Sequence, residues 1–199
     1  AFLSSGTWSL MGAELDEPVV NDAAYQANYT NERGVGNKIR FLKNIAGLWL
    51  VQEVRRDYDK HGRSFDYAEL TELAEQAEPF RTLVDPAHEP FAAPGNMLEK
   101  ITAFAKDTDQ PVPETPGQFV RCCLESLALT YRETLHTLAE LTGRSFDVLH
   151  IVGGGPEVAA RVRDAQQRVF DAVDRQITDR NAQVAALSAR VPTVRYAAI

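Results

Sequence analysis

The chain has 199 residues, 44% hydrophobic and 25% charged, a globular composition with enough apolar material for one sizeable core or two small ones. A formal net charge of −7 argues against a general nucleic-acid surface, because neutralising phosphates needs a basic face. No apolar run approaches the roughly 20 residues that cross a bilayer, and no basic segment followed by an apolar one opens the chain, so a cytoplasmic protein with no membrane partner is expected.

Residues 1–20, "AFLSSGTWSLMGAELDEPVV", contain two short apolar runs joined through Ser4, Ser5 and Gly6, which predicts a β-hairpin or meander. "NYTNERGVGNKIRFLKN" reads as a polar, glycine-containing turn region leading into an apolar segment. Apolar residues at Ile45, Leu48, Trp49 and Val51, with charges from Glu53 onward, predict a helix that ends near Gly62. A second helical pattern covers residues 67–78 and is stopped by Pro79. Residues 82–96 hold three prolines and read as an irregular surface connection, after which "NMLEKITAFAKDTDQ" forms another short helix.

The strongest helical signal spans residues 116–142. Thr115 caps it, Pro116 suits its first turn, and Gln118 stands at capping-box spacing from Thr115. Phe119, Cys122, Cys123, Leu127, Tyr131, Leu135 and Leu138 line one face for burial, and Gly143 closes the helix. The two cysteines are neighbours, a spacing ill suited to an unstrained bridge or a metal site, so they read as core thiols. "FDVLHIV" then reads as a buried strand that delivers the chain to Gly153, Gly154 and Gly155, giving a strand, glycine, helix arrangement of α/β type. All 12 glycines lie at or before residue 155, and residues 156–199 lack lysine and are rich in alanine and arginine. Val158, Val162, Ala165, Val169, Val173 and Ile177 predict an amphipathic helix there, with Pro156 near its first turn. "ARVPTVRYAAI" would follow as an edge strand, because Pro192 keeps it out of a sheet interior.

Glycines between a strand and a helix let backbone N–H groups approach a phosphate, with the helix N-terminus adding partial positive charge. A tight strand-to-helix turn accounts equally well for the same residues. The loop is not of the Walker type, and "GVGNK" at 34–38 lacks both the third glycine and the preceding strand of a dinucleotide fingerprint. Ser4, Ser5 and Thr7 can bond phosphate oxygens from a hairpin tip, or their own backbone. His61, His88, His136 and His150 are dispersed, so no metal site is expected, and the absence of a G-x-S-x-G elbow argues against a hydrolase.

The wording around these turns is specific. "SSGTWSLMG", "TNERGVGNKIRFLKNIAGLWLVQEVRR", "ESLALTYRETLHTLAEL" and "LHIVGGG" resemble the C-terminal, nucleotide-binding half of sugar kinases of the FGGY family, its rhamnulokinase branch above all, over residues 1–155. The resemblance implies an actin-like, ribonuclease H-like α/β domain of mixed sheet and packed helices over residues 1–155; it stops there, and residues 156–199 are read from their own periodicity as an atypical helical extension packed on the same domain. It places the family's nucleotide-binding positions on Thr7, Asn44, Gln52 and Gly154, with Ser5, Gly6, Gly153 and Gly155 in support. Asn44 and Gln52 lie about two helical turns apart and are expected to share a helix face. The family's catalytic aspartate belongs to a histidine-aspartate-threonine motif expected upstream of Ala1, so no catalytic residue is expected here, and the chain reads as an excised or incomplete product. The implied chemistry is transfer of the γ-phosphoryl group of ATP, with Mg2+, to the 1-hydroxyl of L-rhamnulose, leaving ADP, with the sugar held by a separate N-terminal domain. The alternatives are a kinase of the same family for another ketose, and a non-catalytic nucleotide-binding or interaction module that self-associates through an exposed interdomain face.

Overall fold

The computed structural model describes residues 1–153. Gly154, Gly155, the expected helix from Pro156, the expected terminal strand and any packing of the 156–199 extension lie outside the described residues. The elements run β1 (Phe2–Ser4), β2 (Ser9–Leu15), α1 (Asp22–Gln26), β3 (Thr30–Arg33), β4 (Ile39–Ile45), α2 (Trp49–Lys60), α3 (Tyr67–Gln76), α4 (Glu89–Ala92), α5 (Met97–Asp107), α6 (Pro116–Thr142) and β5 (His150–Val152). The strands form one mixed sheet in the order β3-β4-β2-β1-β5, with β1 and β5 parallel and the other pairs antiparallel.

Alternation along β2 and β4 sends Met11, Ala13, Leu15, Phe41 and Ile45 to a face covered by the C-terminal half of α6. There Leu127, Tyr131, Leu135 and Leu138 complete two apolar clusters. The N-terminal half of the same helix, from Phe119 to Leu124, enters a third cluster with α2, α3 and α5. The helix is held as its sequence signals indicate: Thr115 accepts from the Gln118 N–H at 3.3 Å, Pro116 fills the first turn, and Gly143 adopts φ 63 at the C-cap. The Gln118 side chain reaches one residue earlier than expected, accepting the Glu114 N–H at 2.7 Å. Cys122 and Cys123 are free and buried as expected, and burial pushes the Cys122 thiol up to about 12.

The expected turn region at residues 28–44 is instead an antiparallel pair, β3 with β4, closed by a 3-10 turn at Val35–Asn37 in which Gly36 has φ 63. β3 reads Thr-Asn-Glu-Arg, polar throughout, so its pairing comes from its neighbour and leaves no hydrophobic period. The helix expected from Ile45 begins at Trp49, because Ile45 pairs with Ser9 as the last residue of β4. Asn44 and Gln52 therefore sit on a strand and a helix and share no helix face. The strand expected across 146–152 is confined to His150–Val152, and it is an exposed border of the described sheet, with Val152 54% exposed. Among the described residues it pairs only with β1. The proline-rich connection contains the short helix α4.

Buried polarity holds the connection after α3. Glu125 of α6, 1% exposed, accepts from Arg121 Nε at 2.7 Å and from the Phe80 N–H at 2.8 Å, while Phe80 holds a left-handed φ of 54. Burial, the largest influence, raises the Glu125 pKa above the usual carboxylate value despite the Arg121 and Phe80 contacts that lower it. A folded pKa above the unfolded one means that this group's stabilisation is fully present below about 4.5 and is lost as pH rises through the folded value. Glu125→Gln removes that dependence. Thermal melts should therefore show wild type gaining on Glu125→Gln as pH falls from neutral toward 4.5, and a pH-independent gap would contradict the assignment.

Candidate functional site

The turn between β1 and β2, Ser5–Trp8, is fixed by backbone bonds to two distant parts of the chain. The Ser5 N–H donates to the Val152 carbonyl at 2.6 Å, which ties the turn to the end of β5. The Gly6 carbonyl accepts from the Leu48 N–H at 2.8 Å and the Thr7 carbonyl from the Trp49 N–H at 3.2 Å, which seats the turn on the start of α2. No side chain caps that helix end, so the turn's carbonyls satisfy two of its orphan N–H groups. One helical turn on, the Gln52 carboxamide faces the Thr7 hydroxyl. Nε2 donates to Thr7 Oγ1 at 3.0 Å, and Oε1 lies 3.1 Å from the same hydroxyl.

Two glycines permit this approach. A Cβ on Gly47, in the junction between β4 and α2, would stand 2.3 Å from Ser9 Oγ and 2.5 Å from the Gly6 carbonyl oxygen. A Cβ on Gly153, whose φ is +132, would stand 2.1 Å from the Ser5 carbonyl oxygen. Ser9, fully buried, shares a 2.6 Å hydrogen bond with Tyr131 of α6 and so anchors the exit of the turn in the core.

The structure thus brings Ser5, Gly6, Thr7, Gln52 and Gly153 to one place. Asn44 stands at the same end of the sheet, exposed, in a register row that runs Asn44, Leu10, Ser4, Val152 across four strands. All of these groups are neutral. An anion held here would meet backbone N–H groups, hydroxyls and carboxamides, with no lysine or arginine among the assembled side chains. Sequence reasoning missed Gly47, Ser9 and Tyr131. Gly47 carried a usable signal, since "NIAGLWL" is a strand, a glycine and a helix start, the same grammar that drew attention to Gly153.

Among the described residues no group of three His, Cys, Asp or Glu side chains converges as metal ligands would, and no helix is long and apolar enough to cross a membrane. The mixed sheet backed by helices, with a neutral turn pinned to a helix start, is an actin-like, ribonuclease H-like arrangement. The chain belongs to the FGGY family of carbohydrate kinases, and residues 1–163 match that family's C-terminal domain, so the match runs past Gly155. Within the family it is similar to rhamnulokinases: that of Enterococcus faecalis is 47% identical over 157 residues, covering 78% of this chain and 31% of the relative. The rhamnulokinase of Bacteroides thetaiotaomicron is 47% identical over 155 residues, and that of Bacillus subtilis 39% over 155, each again covering 78% of this chain and 31% of the relative. The chain therefore spans about a third of the length of these relatives. Two solved structures share the fold at low identity. A xylulose kinase from Bifidobacterium adolescentis has TM-score 0.51 and 18% identity over 78% of this chain and 29% of its own. A xyloylose kinase from Brucella ovis has TM-score 0.53 and 15% identity over 87% of this chain and 34% of its own.

Proposed function

We propose that this chain is the ATP-binding half of a cytoplasmic sugar kinase that phosphorylates L-rhamnulose at its 1-hydroxyl. The observation that carries the reading is the convergence of the Ser5–Trp8 turn, the start of α2 and Gly153, with the Thr7 hydroxyl at the centre. Thr7 meets the nucleotide phosphates, Asn44 and Gln52 bind the nucleotide from β4 and α2, and Ser5, Gly6 and Gly153 keep the approach narrow; the adenosine moiety is assigned to Gly154, with Gly155 in support, on the family resemblance alone, since both lie outside the described residues. The neutral donors suit a polyphosphate that already carries its own counter-ion. Magnesium is expected with the nucleotide, but the described residues offer it no ligand cluster and it is assigned none here.

Phosphoryl transfer leaves the protein little covalent work, so this half contributes position and charge stabilisation. The sugar pocket and the proton acceptor for the sugar hydroxyl are assigned to the part of the relatives that this chain does not span. L-rhamnulose is chosen over another ketose because the relatives at 39–47% identity are rhamnulokinases. A second reading, an interaction module, draws on Trp8. This residue is 60% exposed beside the turn and would be covered by another domain or a second copy.

Calorimetric titration of Mg-ATP into the folded chain tests the reading. Saturable binding is expected, and Thr7→Val should weaken it about tenfold or more, because the hydroxyl is lost and the Gln52 carboxamide loses its partner. Absence of binding by a chain that melts cooperatively would overturn the nucleotide reading and leave the interaction module.

A further inference from the structure

Helix α2 carries a second set of contacts on a different face from Gln52. Trp49, Glu53 and Asp57 recur at four-residue steps and form one stripe along it. Each reaches a backbone group in residues 91–98. The Trp49 indole N–H donates to the Phe91 carbonyl at 2.9 Å, Glu53 Oε2 accepts the Gly95 N–H at 2.7 Å, and Asp57 Oδ2 accepts the Leu98 N–H at 3.1 Å. Glu53 Oε1 also receives the Arg56 guanidinium. Glu53 is 1% exposed and Asp57 2%.

One of the two carboxylates does what α5 does not do for itself. Its N-cap residue, Asn96, sits at φ 53 and makes no side-chain cap, so the Leu98 N–H in its first turn is answered by Asp57, while Glu53 takes the Gly95 N–H just ahead of the cap. Burying two carboxylates is expensive, and apolar side chains of similar size would fill the same space at less cost. What carboxylates supply, and apolar groups would not, is a directional bond at each step of the stripe. Such bonds fix the roll of α2 about its own axis.

We infer that Glu53 and Asp57 are positioning residues for the nucleotide site, acting through Gln52; the inference rests on the reading of Thr7 and Gln52 given above. Gln52 is the residue immediately before Glu53, and its carboxamide meets Thr7 at 3.0 Å. On a helix whose side chains reach about 5 to 6 Å from the axis, a roll of about 10° displaces that carboxamide by about 1 Å. A misplacement of that size at a site can lower its performance by about a hundredfold. The segment 91–98 is thus a brace against which α2 is indexed, and Trp49, Glu53 and Asp57 are the teeth.

The test is a coupling measurement by Mg-ATP calorimetry on the full chain, at a temperature where every variant is folded by circular dichroism. Glu53→Gln cannot offer two acceptor oxygens to Arg56 and Gly95 together, and it should weaken binding about tenfold. Thr7→Val combined with Glu53→Gln should bind no more weakly than Thr7→Val alone, because both act on one contact. Asp57→Asn and Trp49→Phe should each weaken binding about threefold, and they keep the test usable if Glu53→Gln does not fold. Glu125→Gln, which alters an equally buried acid whose bonds run to Arg121 and the Phe80 N–H and not to this stripe, should leave affinity unchanged. Unchanged affinity in the α2 variants, or losses that simply add to that of Thr7→Val, would overturn the inference while the nucleotide reading stands. Failure of the wild-type chain to bind would overturn both.

Discussion

Gly47→Ala is expected to lower the melting midpoint by roughly 10 °C. The new Cβ would stand 2.5 Å from the Gly6 carbonyl oxygen and 2.3 Å from Ser9 Oγ, and neither can retreat cheaply. Gly6 is held by the Leu48 N–H, and Ser9 is fully buried against Tyr131. Overpacking of this kind costs about 1 to 3 kcal/mol. Breaking the buried bond between Ser9 and Tyr131 adds about 1 to 3 kcal/mol more. Gly36→Ala is the control, since Gly36 has φ 63 but no atom within 4 Å of its Cβ position. It should cost only the strain of the backbone, about 1 kcal/mol. Equal melting losses for the two variants would mean that the close approach at Gly47 is not what holds the turn.

Gly153→Ala is expected to abolish measurable Mg-ATP binding, a loss of about a hundredfold or more. Two effects combine there. At φ +132 an alanine is strained whatever the space, and its methyl would lie 2.1 Å from the Ser5 carbonyl oxygen, which is backbone and cannot rotate aside. Relief requires β5 to draw away from β1, breaking the 2.6 Å bond between the Ser5 N–H and the Val152 carbonyl. Gly153 then no longer abuts the turn. Because β5 is only three residues long, the damage to melting should be smaller than for Gly47→Ala while the damage to binding is greater. Calorimetry and melts on the same variant separate the two, and retained binding would remove Gly153 from the site.

What the sequence disclosed divides along the range of the interactions. Helix α6 was legible to the residue because its limits are local, in Thr115, Pro116 and Gly143. The pairing of β3 with β4 was not, because Thr30–Arg33 has no apolar face and owes its extended state to Ile39–Leu42 across the ladder. The switch from a two-residue to a 3.6-residue period falls at Gly47, and reading the helical period back across it put Asn44 on the wrong kind of element. For the site, Thr7 and Gln52 follow from family resemblance, and only the structure reveals that they touch. Glu53 and Asp57 belong to the charged part of a helix pattern, and nothing in that pattern marks them for burial. Their burial depends on backbone N–H groups 41 or 42 residues further along, which no local pattern announces.

Helix α6 carries a consequence for the domain as a whole. Its 27 residues contribute side chains to all three apolar clusters, and its Thr134 carbonyl receives the Tyr29 hydroxyl from the sheet side. A beam shared in this way denies the helical layer and the sheet separate existences, for neither keeps its apolar surface covered once the other lets go. The grip on the turn at one end and the brace around residues 91–98 at the other are therefore gained or lost in a single cooperative step.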